Sequence, residues 1–186
     1  MKTIIVFVAL AVIAIVVILG FQLTGNDTDK QVVDTTSAVS EPWIWENPYT
    51  FKQALVPAVW KQTENTKLQD TVLTLQHESG KSLVYILYEE PVDYMTLSEF
   101  IDVIKPLHQQ EFGIDDFQEA KDKAGNNFYH AGSARYLGNS LVGIKVSIWS
   151  DGTNSFWEAV QMTDLEYKAI EYDAEEVVKL LIETTR

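Results

Sequence analysis

The sequence predicts an α+β fold: an antiparallel sheet of six or seven strands flanked by two helices, preceded by one N-terminal transmembrane helix. Three observations carry the prediction. Ile4–Leu19 is a run of sixteen residues without one polar side chain. Residues 71–163 are dominated by alternating apolar stretches joined by turns rich in Gly, Asn and Asp. Two further stretches, opening at Thr96 and Asp173, carry apolar residues at helical spacing.

The N-terminal run comes first. Gly20–Leu23 extends it with a single polar member, Gln22. About 20 apolar residues at ~1.5 Å each match a hydrocarbon core of ~30 Å. Residues 1–23 are therefore expected to be a signal anchor or transmembrane helix, inserted through residues 4–23. A cleaved signal peptide, and so a secreted protein, is the alternative, but its apolar stretch is usually ~7–15 residues. The Ala9-Leu10-Ala11 triplet lies inside the run and Ile18-Leu19-Gly20 is a poor cut site. With no cysteine, lipoprotein attachment is excluded. Lys2 precedes the span, while Asp27 and Asp29 follow it. The positive-inside rule then gives a single-pass cell-membrane protein with a cytoplasmic N-terminus and an extracytoplasmic C-terminal domain, in the periplasm or at the cell exterior.

Residues 24–41 read TGNDTDKQVVDTTSAVSE, a polar linker without helical or strand period. Fully extended, it reaches about 60 Å from the membrane. Asn26-Asp27-Thr28 is a glycosylation sequon, relevant only in a eukaryotic secretory pathway. The domain expected over residues 42–186 carries −11 of the chain's net charge of −13. That acidity excludes a nucleic-acid partner, since phosphate contacts need clustered Lys and Arg. It also opposes docking on anionic headgroups.

Within the domain, Tyr49–Gln53 reads as a short strand, followed by Val56-Pro57-Ala58-Val59-Trp60. Thr71–His77 alternates, with Leu73, Leu75 and His77 on one face. Glu78-Ser79-Gly80-Lys81 is a hairpin turn. Leu83–Glu89 is apolar on both faces, as a central strand should be. Thr96-Leu97-Ser98-Glu99 is a capping box. The helix it opens places Leu97, Phe100, Ile101, Ile104 and Leu107 on one stripe. Pro106 should bend that helix and Gly113 should end it. Strands are expected at Phe117–Asp122, Phe128–Leu137, Leu141–Trp149 and Ser155–Thr163, with turns at residues 124–127, 138–139 and 151–154. Asp173 is expected to cap a last helix that buries Val177, Val178, Leu181 and Ile182. Two helices with one apolar stripe each need two sheet faces.

The order of these elements resembles the PsbP-like fold, shared by extrinsic photosystem II proteins, a nuclear Ran-binding protein and many bacterial secreted or membrane-attached domains. Tyr49-Thr50-Phe51 followed by Val56-Pro57-Ala58-Val59-Trp60 is similar to a recurrent opening of that family, with a longer gap between Phe51 and Pro57. The resemblance covers residues 47–185 and implies a non-catalytic binding or assembly module, with no active-site residues to transfer.

The residues themselves offer little chemistry. With zero cysteine there is no thiol nucleophile, disulfide scaffold or cysteine-held metal. Gly80-Lys81-Ser82 lacks the first glycine of a phosphate loop, because Leu75 stands there, and a strand follows it. His108 and Glu111 are one helical turn apart but supply only two ligands for a metal; a solvated helix face is the plainer reading. His130 and Ser133 have no nucleophile elbow. The adjacent acids Glu89-Glu90 and Asp115-Asp116 make poor catalytic pairs, since neighbours on a strand point apart. Asp151-Gly152-Thr153-Asn154 is turn chemistry without a calcium-loop pattern. No catalytic, cofactor-binding or metal-ligating residue is therefore assigned. Trp43-Ile44-Trp45 is the most unusual local feature. Either the indoles tuck onto the core or Trp43 and Trp45 form a partner surface.

These observations favour a membrane-anchored, extracytoplasmic, non-catalytic binding or assembly module with a membrane-protein partner and no cofactor. The alternatives are an extracytoplasmic hydrolase using acids with His130 or His108, and a small-ligand or cation sensor.

Overall fold

The computed structural model describes residues 41–64, 70–91 and 93–185. The expected membrane span, and the expected linker up to residue 40, lie outside these residues. Among the described residues no helix is long and apolar enough to cross a membrane.

The chain opens with a two-stranded hairpin, β1 (Trp43–Glu46) and β2 (Gln53–Val56), antiparallel with Trp43 opposite Val56. Tyr49–Gln53, expected as a strand, is mostly the turn between them. Asn47 is the reason. Its side-chain Oδ1 accepts from the Tyr49 and Thr50 amides at 2.9 and 3.1 Å, and its carbonyl accepts from the Phe51 amide. An Asx-type turn of this kind competes directly with extended pairing. Phe51 adopts φ 58° to close it.

A seven-stranded antiparallel sheet follows, in the order β3-β4-β5-β9-β8-β7-β6. Its strands are β3 (Trp60–Gln62), β4 (Thr71–His77), β5 (Ser82–Glu89), β6 (Gln118–Lys121), β7 (Asn127–Leu137), β8 (Ser140–Ser150) and β9 (Phe156–Asp164). Strand alternation then assigns every side chain to one of two faces.

The first face holds Leu83, Tyr85 and Leu87 of β5, Val142, Ile144, Val146 and Ile148 of β8, and Phe156, Val160 and Met162 of β9. Helix α1 (Leu97–Phe112) covers it with Phe100, Ile101, Ile104 and Phe112. The capping box forms as the sequence predicts: Thr96 Oγ1 accepts from the Glu99 amide and Glu99 accepts from the Thr96 amide. Gly113 ends α1 in the left-handed region, φ 68°, which a residue with a Cβ resists. The helix continues through Pro106, which sits on its exposed side, where the carbonyl deprived of a donor can turn to water.

The second face holds Leu73, Leu75, Val84, Ile86, Trp149, Trp157 and Ala159. Helix α2 (Lys168–Thr185) covers it with Ala174, Val177, Val178, Leu181 and Ile182, and the β1–β2 hairpin adds Trp45, Ala54 and Val56. Helix α2 starts five residues before the expected cap at Asp173. A turn at Asp164 launches it, with Asp164 accepting from the Tyr167 and Glu166 amides. Asp173 instead faces the buried His77 from inside the helix, at 3.8 Å.

Candidate functional site

Two places in this frame hold polar groups that a core does not need. One lies under α1, the other beside α2.

Under α1, the stripe contains His108 where Leu107 was expected. His108 is buried, and Leu107 is half-buried. Its Nε2 meets Glu158 of β9 at 2.8 Å and its Nδ1 lies 3.1 Å from the Ile104 carbonyl. Glu158 shares the inward face of β9 with Phe156 and Val160, so both members of the pair are out of water. The solvated-face reading of His108 is thus corrected. Burial pulls the imidazole pKa down, but the Glu158 carboxylate, the Ile104 carbonyl and Glu111 outweigh it and carry it up to about 9. Glu89, half-buried on the same face at the end of β5, is raised to about 7 by desolvation, then by Glu158 and Asp70, with His108 opposing.

Strand β7 secures the end of α1. Arg135 Nη1 donates to the Glu111 carbonyl and Ser133 Oγ to the Phe112 carbonyl, both at 2.6 Å. These carbonyls belong to the last turn, where no intrahelical donor remains and the helix dipole favours a cation. Ser133 therefore points at α1, while His130 is exposed on the opposite face of β7. The two do not meet, so no Ser–His pair exists there. Glu90 is exposed while Glu89 turns inward. Among the described residues no group of three or more His, Asp or Glu is placed to hold a metal. The Asp151–Asn154 oxygens are occupied: Asp151 accepts from Thr153, and Asn154 bonds Met95, Pro91 and Asp93. Ser82 opens β5 and bonds Thr163 at 2.7 Å, so Gly80-Lys81-Ser82 leads into a strand and forms no phosphate loop.

Beside α2, the second face is only partly covered. The helix packs on β5, β9 and β2. It stops short of β7, whose His130, Gly132, Ala134 and Tyr136 are all exposed. The step leaves an open groove of about 390 Å³. Its wall is α2, through Glu175, Val178, Lys179 and Ile182. Its floor is sheet, through Gly132, Lys145, Ser147 and Gln161, with Phe128 and His130 at the rim. Lys145 reaches across to Glu171 at 2.9 Å and to Glu175, closing one side. Gln161 is 4 % exposed, yet its carboxamide makes no hydrogen bond to any described residue. Gly132 contributes open floor: a Cβ there would meet only the Ile144 carbonyl at 3.4 Å and the Lys145 side chain at 3.9 Å.

Of the tryptophans considered as a partner surface, Trp45 lies in the core at 6 % exposure. Trp43 is half-buried and donates its indole N–H to the Trp60 carbonyl at 2.8 Å. What the hairpin presents outward is Ile44 and Leu55, cross-strand partners on its other face, with Phe51 at the tip. Alternation within Trp43-Ile44-Trp45 carries that signal, since tucking the indoles inward turns Ile44 out. Glu158 and Gln161 carry no comparable signal in the sequence.

No family model matches the chain, and no curated protein matches it in sequence. Solved structures do. The solution structure of cyanobacterial PsbP (CyanoP) from Synechocystis sp. PCC 6803 superposes with a TM-score of 0.55 at 9% identity. It covers 80% of this chain and 95% of that one. The fold is PsbP-like. The PsbP-like order of elements read from the sequence is thereby matched in three dimensions. At this identity the likeness speaks for the fold alone.

Proposed function

We propose that this chain is a non-catalytic binding or assembly module, anchored in the cell membrane by residues 1–23 and working on the extracytoplasmic side as part of a membrane-associated complex. The observation that carries the binding role is the groove beside α2, a standing opening over a rigid sheet with an unused carboxamide on its floor. The PsbP-like fold supports the same reading, as does the apolar outer face of the β1–β2 hairpin. Ile44, Phe51 and Leu55, with the half-buried Trp43 beside them, would extend the contact to a membrane-protein partner. The acid excess keeps the domain soluble and off anionic lipid, while the linker gives it reach.

Gentle detergent extraction of the full chain after crosslinking in intact membranes tests the proposal. A defined partner should copurify, and the chain should resist carbonate extraction. Recovery of the chain alone and monomeric, or its release by carbonate, would count against the module and the anchor respectively.

A further inference from the structure

We propose that this chain pairs with a second copy of itself along the outer edge of β7, in an antiparallel two-fold arrangement centred on Ala134. Self-pairing goes beyond the binding-module role and does not depend on what fills the groove.

Strand β7 is longer than the strand that covers it. β6 pairs only with Asn127–His130, whereas β8 pairs with β7 from Phe128 to Leu137. From Ala131 to Leu137 the outer edge therefore has no strand partner. Among the described residues no main-chain bond other than the β8 ladder reaches it. Its outward N–H and C=O groups stand ready for a further strand. At ~3.3 Å per residue the open stretch is about 23 Å long. Native proteins blunt such an edge with charge, proline or a bulge. Residues 131–139 hold no proline, and the β7–β8 register runs without a shift. Their one charge is Arg135, whose guanidinium turns to the Glu111 carbonyl at the end of α1.

The side chains select the occupant and the register. An antiparallel pair centred on Arg135 would set two guanidinium groups opposite each other, which is unfavourable. Centred on Ser133, it would send Tyr136 to the level of His130, where β6 already holds the edge. Centred on Ala134, it sets Gly132 opposite the partner subunit's Tyr136, Ser133 opposite the partner subunit's Arg135, and Ala131 opposite the partner subunit's Leu137. Each of these pairs joins a small side chain to a large one. Tyr136 is 73 % exposed. Above Gly132 there is room for its ring, since an added Cβ would approach only the Ile144 carbonyl at 3.4 Å and the Lys145 side chain at 3.9 Å. An aromatic side chain laid across an edge glycine stabilises a strand pair, and the two-fold axis makes that contact twice. Gly132 belongs to the groove floor beside α2, so each subunit's Tyr136 would also roof part of the other's groove.

Charge permits the approach. The acid excess of the domain lies away from this stretch, and salt screens it beyond ~10 Å at 0.1 M. Two acidic copies repel less as salt rises, so pairing should tighten with ionic strength.

The chain has no cysteine, so a single introduced thiol reports a single place. Directly opposite Cα atoms of an antiparallel pair stand ~4.5–5.5 Å apart, within reach of a disulfide. In the full chain in detergent, Ala134→Cys should cross-link to a dimer on mild oxidation. Lys61→Cys, exposed on β3 at the opposite edge of the sheet, should not. Sedimentation should give a dimer for the parent chain, tighter at higher salt. Ala134→Lys sets like charges across the axis at an exposed position and should give a monomer with unchanged melting temperature. Tyr136→Ala should weaken the dimer roughly tenfold, two cross-strand pairs being lost together. Self-pairing is overturned if the parent is monomeric at every concentration reached, if Ala134→Cys cross-links no faster than Lys61→Cys, or if Ala134→Lys remains a dimer. A monomeric parent that still copurifies a different protein would remove self-pairing and leave the binding module standing.

Discussion

His108 and Glu158 are 50 residues apart in sequence and 2.8 Å apart in space. Neither can lose the other cheaply. Glu158→Gln leaves a buried imidazolium without its counter-charge, and about 3–5 kcal/mol of stability should disappear in urea unfolding. The double replacement His108→Leu with Glu158→Leu should recover much of that loss, because an apolar pair of similar volume needs no compensation. The same groups set the response to pH. Glu89 holds its proton more tightly in the folded state, up to about 7 against an ordinary 4.5, so its contribution is present at low pH and is lost as pH rises through that window. His108, raised from 6.5 to about 9, contributes fully below 6.5 and loses that contribution as pH climbs through 9. Both act in one direction. Melting temperature should fall steadily between pH 5 and pH 9, and Glu89→Gln should flatten the lower part of that slope.

At the scale of elements, α1 is fixed at both ends by local chemistry, the Thr96 box and the Gly113 turn, with Arg135 and Ser133 holding its last carbonyls. Gly113→Ala should cost about 1–2 kcal/mol, because a Cβ in the left-handed region collides with its own backbone. Nothing else lies within 4 Å of that Cβ, so thermal denaturation reads the conformational term nearly alone. Helix α2 is different. Its start at Lys168 has no preferred capping side chain at Tyr167, and the tie to Asp164 depends on where β9 ends. That is why its apolar period is legible in the sequence and its first turn is not. The β1–β2 hairpin is hard to read for a related reason. Tyr49 and Phe51 look like strand residues, but Asn47 uses its side chain to turn the chain before they can pair. Tyr49 instead stacks on Tyr88 with ring centroids 3.7 Å apart.

Across the whole molecule, the legible part of the sequence is the periodic part. Strands β4, β7, β8 and β9 sit close to their expected bounds because their apolar residues recur at alternate positions between turn residues, and β5 because a short run that is apolar on both faces suits a central strand. The two-sided core follows from two amphipathic helices needing two sheet faces. The polar groups beneath α1 and beside α2 stay hidden, since Glu158 and Gln161 occupy buried positions of β9 that gain meaning only from partners far along the chain. Trp149 and Trp157, on either side of the Asp151–Asn154 turn, are fully buried, as is Trp60. Four of the five tryptophans lie at or below 6 % exposure, with Trp43 the exception. Fluorescence should therefore be blue-shifted, and iodide should quench only the fraction that Trp43→Phe removes. Trp157→Ala should destabilise the fold by about 3–5 kcal/mol by opening a cavity between the sheet and α2.

The β5–β9 ladder has a further consequence, for the order of events as the chain is made. Each of the other sheet pairings joins neighbours in sequence, but Ser82 must wait for Thr163, 81 residues later, before the two meanders become one sheet. Closing so long a loop is entropically slow. Until β9 arrives, the edge of β5 stands open, with Val84 and Ile86 bare on one side and Leu83 and Leu87 on the other. The interval between emergence of the first half and docking of the second is when this protein is most exposed to mispairing with another copy of itself.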